Sequence, residues 1–145
     1  MLHEGVVAFC QLHLDAAHPV TIEAYNSLGL TRNSAGDLSA ARAIYERAIE
    51  EAGPATAENR TKYCVLLYNL GLNLIRSEDW ERAVEVWKQT CVEFEKREPP
   101  SLERQRRVEA YYAFALASAG RASEAEGLLS NLSSERIPDD KTLDK

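Results

Sequence analysis

The residues best suited to chemistry stand near the start of the chain. All three histidines, His3, His13 and His18, fall within the first eighteen residues, and Cys10 precedes His13 by three. Cys and His at i, i+3 share a helix face and could supply half of a tetrahedral metal site. No further Cys or His follows at ligand spacing, so no metal is expected. A nucleophilic Ser or Cys needs a base beside it, and histidines confined to one end leave the rest of the chain without one. The glycines are isolated, so no loop is built to cradle phosphate. The acidic pairs Glu50-Glu51 and Asp139-Asp140 read as solvated surface, because neighbouring carboxylates on a helix point in different directions. No enzyme and no cofactor are expected.

The formal net charge of −6 argues against a nucleic-acid partner, which needs clustered Lys and Arg. One basic run exists, Lys96 and Arg97 followed by Arg104, Arg106 and Arg107, and it reads as a solvated helix flank. No apolar run reaches the ~18 residues of a membrane span. The opening "MLHEGVVAFCQLHLDAAHP" lacks the basic start and unbroken apolar centre of a secretory leader. Cys10, Cys64 and Cys91 are odd in number and far apart, as free thiols in a reducing cytoplasm would be.

The elements that position side chains repeat. Leu28-Gly29 recurs as Leu70-Gly71, and an equal step from there reaches Tyr112-Ala113. In the same register Gly36 maps to Glu78 and Gly120, Ala41 to Ala83 and Ala125, Ile44 to Val86 and Leu128, and Tyr45 to Trp87 and Leu129. Each copy carries two amphipathic helices, A and B, with apolar residues at i, i+3, i+4 and i+7. Short turns, "SAGD", "RSED" and "SAGR", join A to B. Asp37 and Ser77 are expected to cap the first two B helices and Ser101 the third A helix. A glycine inside a helix costs about 1 kcal/mol, so Gly29 must serve a close approach, expected opposite the small Ala41.

This pattern resembles the tetratricopeptide repeat family: a large residue, Leu-Gly, an aromatic, a turn glycine, a small alanine, an aromatic, a second alanine, then proline. Copy one shows Tyr25, Leu28-Gly29, Gly36, Ala41, Tyr45, Ala48 and Pro54, but has Arg32 where an aromatic is usual. Copy two shows Leu67, Leu70-Gly71, Ala83 and Trp87, with Glu78 for the turn glycine and Thr90 for the second alanine. Copy three is weakest, with Ala113, Gly120, Ala125, Leu129 and Pro138. The family's usual period is shorter, about 34 residues. The 42-residue version is similar to that of kinesin light chains and related bacterial signalling proteins, where "HP" also precedes helix A. The resemblance implies an all-α, right-handed solenoid of stacked antiparallel helix pairs. Residues 1–18 would be a B-type helix of an incomplete repeat, and 19–58, 59–100 and 101–133 the three repeats. Residues 134–145 would form a polar tail.

The resemblance also implies a concave groove, lined by A helices, that holds a partner's peptide or helix. Its positions fall here on Glu23, Asn26, Leu30 and Asn33, then Val65, Tyr68, Asn69, Leu72 and Arg76, then Arg107, Ala110, Tyr111 and Phe114. Asn69 matches a place where the family binds a ligand's backbone, for which an amide offers both donor and acceptor. Tyr68, Leu72 and Phe114 serve equally well as packing between repeats. Some members clamp a chaperone's terminal carboxylate with two Lys, two Asn and an Arg. Only Asn69 and Arg107 fit that set, Leu30 and Tyr111 depart from it, and a complete clamp is not expected.

Leu2, Val6, Val7, Phe9, Cys10, Leu12 and Leu14 make the first helix apolar on most sides, which calls for burial on more than one face. The polar "SSERIPDDKTLDK" cannot cover the end of the last repeat. Two functions follow as expectations. One is a non-catalytic scaffold for a protein or peptide partner. The other is a regulatory or oligomerisation domain of a longer signalling chain, self-associating through the N-terminal helix or the C-terminal repeat end.

Overall fold

The structure, a computed structural model, describes residues 2–134. It is all-α, with seven helices among those residues: α1 Leu2–His13, α2 Pro19–Ser34, α3 Leu38–Ala52, α4 Arg60–Arg76, α5 Trp80–Glu95, α6 Leu102–Ser118 and α7 Ala122–Ser134. None of them is long and apolar enough to cross a membrane. The expected tail, except Ser134, lies outside the described residues, with Pro138 and the Asp139-Asp140 pair.

Each helix packs on its neighbours in the chain, and α2 also packs on α4. Consecutive helices run antiparallel. Tyr25 near the start of α2 donates to Glu51 at the end of α3 (2.7 Å), while Arg60 and Glu93 join the start of α4 to the end of α5.

Local chemistry sets the helix ends. His18 caps α2, its Nδ1 accepting from the Val20 N–H at 3.2 Å, and Pro19 opens the helix where an N–H is dispensable. Asp37 caps α3 by accepting from Ala40 (3.0 Å), and Ser101 caps α6. The cap of α5 is Asp79, not Ser77; the Ser77 hydroxyl instead donates to the Asn73 carbonyl at the end of α4. The N-terminal helix expected within residues 1–18 stops at His13. Asp15 turns the chain there, its carboxylate taking the Ala17 N–H (2.7 Å) and its carbonyl the His18 N–H and the Thr21 hydroxyl.

Each cap of α3 and α5 follows a left-handed residue. Gly36 and Gly120 have φ of 84° and 80°, and Glu78 holds the same place at 56°. A side chain in this region is strained by about 1 kcal/mol. Glu78→Gly is therefore expected to raise stability by about 1 kcal/mol, read as a higher urea midpoint at unchanged slope. An unchanged midpoint would count against strain at this turn.

Tyr45 and Trp87 are fully buried, and each lies against a glycine of the preceding helix. A Cβ at Gly29 would overlap the Tyr45 ring, and one at Gly71 would come within 2.5 Å of Trp87 Cε2. Gly29 thus makes room for an aromatic ring; the expectation that it faces the small Ala41 is corrected. In copy three the pair is Ala113 with Leu129, and Leu129 is 49% exposed rather than packed like its counterparts. With no large ring to admit, Ala113 keeps its Cβ.

Leu28, Leu70, Ala41, Ala83 and Ala125 are buried, and Tyr112 is half-buried. Thr90 takes its alanine-like place because its hydroxyl bonds the Val86 carbonyl (2.7 Å) inside the helix. Arg32 pairs with Glu4 of α1.

Candidate binding face

Helices α2 and α4 run parallel, joined in register by Lys62–Glu23 (2.8 Å), Asn69–Asn26 (2.7 Å) and Asn73–Asn33 (3.2 Å). The sequence register explains this ladder, since like-numbered turns of the two A helices meet. Asn69 Nδ2 donates to Asn26 Oδ1. That bond leaves Asn69 its carbonyl oxygen and Asn26 its amide N–H groups for a further partner. Asn33 is spent differently: its oxygen accepts from the fully buried Asn73, whose Nδ2 also donates to the Leu38 carbonyl at 3.0 Å. Asn33 therefore works within the interface, and Asn73, not singled out in the sequence, is the central amide.

Tyr68 and Tyr111 meet edge to face at 5.8 Å, and both lie on Trp87, Tyr68 edge-on at 5.4 Å and Tyr111 stacked at 4.8 Å. Such pairs contribute about 1 kcal/mol beyond the area they bury. Tyr68 and Tyr111 are half-buried, so they pack and still present edges. Burial, then the neighbouring Tyr111 phenol, raises the Tyr68 hydroxyl above its ordinary value, against the opposing pull of Arg107. Phe114 is 51% exposed and touches Trp80. Arg107, Ala110, Tyr111 and Phe114 line one shallow hollow. Leu72 packs against the core, whereas Leu30 (41% exposed) and Arg76 stand exposed toward the C-terminal ends of α2 and α4.

A cleft of about 320 Å³ lies between α4, α6 and the end of α5. Thr61, Val65 and Tyr68 form one wall, Arg104 and Arg107 the other, and Phe94 and Arg97 complete it. The basic run expected to be a solvated flank is thus divided by α6. Arg104 and Arg107 turn to this cleft, while Arg106 borders Leu129, Leu132 and Ser133. No spacing within one helix signals this meeting, which depends on how α6 packs on α5.

The Cys10–His13–His18 set does not converge on a metal. Cys10 is buried, His13 lies against Phe9, and His18 is a helix cap. Among the described residues no three His, Cys, Asp or Glu side chains come together as metal ligands. The three cysteines are free and buried, and burial pushes the Cys64 and Cys91 thiols up to about 12. Reactivity belongs to the thiolate. Cys64 and Cys91 should therefore resist Ellman's reagent at pH 8 in the native protein and react at once in urea. Rapid native modification of either, located by mass spectrometry, would contradict this burial.

Compared with known proteins, the sequence matches no family model and no curated protein.

Proposed function

We propose that the chain is a non-catalytic tetratricopeptide-type scaffold that holds a peptide or helical segment of a partner protein. The reading takes the helices as a right-handed solenoid, α1 standing as a B-type helix before three A–B pairs. Support comes from the regular recurrence of the glycine–ring pairs and left-handed turns, and from the parallel course of α2 and α4. The observation that carries the function is the Asn26–Asn69 pair, half-buried and with bonding capacity to spare, with Tyr68 beside Asn69 on α4 and Tyr111 and Phe114 on α6. Amides can satisfy an extended backbone while aromatic side chains anchor its apolar groups. The free, buried cysteines fit a reducing compartment, the cytoplasm.

The test is an array of random dodecapeptides probed with the intact chain and with Asn69→Ala/Tyr111→Ala. Phe114→Ala serves as a further variant because its exposed ring can be removed without touching the core. Melting curves establish that each variant is folded. The scaffold reading expects binding to the parent chain and at least about a tenfold loss in the variants. Equal retention by all three would remove the groove assignment.

A second reading, self-association, draws on α1. Leu2 (81% exposed), Val6 (41%), Phe9 (60%) and Leu12 (80%) share one side of that helix, and only Val7 and Cys10 are buried. An exposed apolar stripe of this kind marks contact surfaces. A concentration-dependent dimer in sedimentation, dissolved by Phe9→Glu, would favour it; a monomer would leave the scaffold reading alone.

A further inference from the structure

We infer that the cleft between α4, α6 and the end of α5 binds a small organic anion, an apolar body carrying a carboxylate or phosphate. Three observations converge there. The cleft measures about 320 Å³, at the small end of the range in which proteins enclose small ligands. Its apolar surface is supplied by Val65, Tyr68 and Phe94, with three guanidinium groups placed around it.

The third observation concerns pairing. Arg32, Arg42, Arg47, Arg60, Arg82 and Arg121 all hold an acidic partner outside this cleft. In the cleft itself Arg107 holds Glu103 at 2.9 Å, while Arg97 and Arg104 form no ion pair among the described residues, as Arg76 and Arg106 elsewhere form none. In a chain of net charge −6, acids are not in short supply. Arg97 sits over the Phe94 ring at 5.1 Å, and its buried Nε has no hydrogen-bond acceptor in the described protein. A buried donor left unmet costs about 1–3 kcal/mol. A bound anion would face the Arg97 and Arg104 guanidinium groups, which no carboxylate among the described residues neutralises.

The lining chemistry separates this site from the peptide groove. No Asn or Gln faces the cleft. Apart from the Thr61 and Tyr68 hydroxyls, every polar side chain there is cationic. A peptide backbone needs paired donors and acceptors, and those stand at Asn26 and Asn69. A compact anion needs donors alone, beside an apolar surface. Tyr68 and Arg107 border both places, so the anion would bear directly on the groove.

The experiment is a titration of isotope-labelled chain, followed by amide shifts, with benzoate and phenyl phosphate. Benzamide, inorganic phosphate and N-acetyl-aspartyl-phenylalaninamide serve as comparison probes. Saturable shifts are expected for benzoate or phenyl phosphate at Val65, Tyr68, Phe94 and Arg104, with millimolar dissociation constants. Benzamide and inorganic phosphate should bind at least about tenfold more weakly, since each lacks one half of the recognition. Arg104→Gln, an exposed substitution, and Arg97→Gln should each weaken the anions several-fold without loss of fold. Equal binding of benzamide, shifts spread away from the cleft, unchanged binding in both variants, or no saturable shift would each overturn the inference. Tighter binding of the acidic dipeptide than of either free anion would overturn it too, and make the cleft a part of the peptide groove.

Discussion

Gly71→Ala is expected to destabilise the fold by about 2–3 kcal/mol, the upper part of the range for forcing extra volume into a packed core. The new Cβ would stand 2.5 Å from Cε2 and 2.7 Å from Cζ2 of Trp87. Trp87 is fully buried and lies against Tyr68 and Tyr111, so its ring cannot swing aside freely. The melting temperature should fall by roughly 5–10 °C. The third copy shows the compensation, since Ala113 and Leu129 occupy the equivalent places. Trp87→Leu alone leaves a cavity and costs about 3 kcal/mol. The two substitutions together should lose at least about 1 kcal/mol less than their sum, a coupling that residues in contact display. A mild loss in Gly71→Ala, or strict additivity, would mean that the glycine does not serve the ring.

Asn59→Ala should cost about 2–3 kcal/mol. Asn59 is 1% exposed, in the loop before α4. Its Oδ1 accepts from the Thr56 N–H at 2.8 Å, and its Nδ2 donates to the Ala17 carbonyl at 2.8 Å. One side chain therefore ties the α3–α4 connection to the α1–α2 connection. Alanine would leave a backbone donor and a backbone acceptor without that partner. Asn59→Asp keeps the acceptor toward Thr56 but sets a buried carboxylate oxygen against the Ala17 carbonyl, and is expected to cost at least as much as alanine. Urea titrations of the three proteins check this order. An Asn59→Ala midpoint indistinguishable from that of the parent would deny the tie.

The contrast between these two sites explains what the sequence made legible. Gly29 and Gly71 stood out because close approach restricts residue type to one choice, and the restriction recurs in register from one copy to the next. Asn59 and Asn73 did not, because an asparagine suits loops, caps and interfaces alike. Their partners Ala17 and Asn33 lie far off in the chain, in other elements. The cap of α5 was ambiguous for a local reason: "RSED" holds two good cap residues. What decides between them is the left-handed residue, Glu78, after which Asp79 follows as Asp37 follows Gly36. On the candidate face, Asn26 and Asn69, and Tyr68 with Tyr111, come together as the register implied. Arg97 and Arg104 were hidden because their meeting depends on how α6 packs on α5, which no spacing within one helix encodes.

The scaffold reading rests on where a partner lies. The most direct measurement is the amide-shift map of labelled chain titrated with the tightest dodecapeptide retained from the random array. Shifts at Asn26, Asn69, Tyr111 and Phe114, lost in Asn69→Ala/Tyr111→Ala, are the predicted result. Shifts confined to α3, α5 and α7, or an array from which the chain retains no peptide, would contradict it.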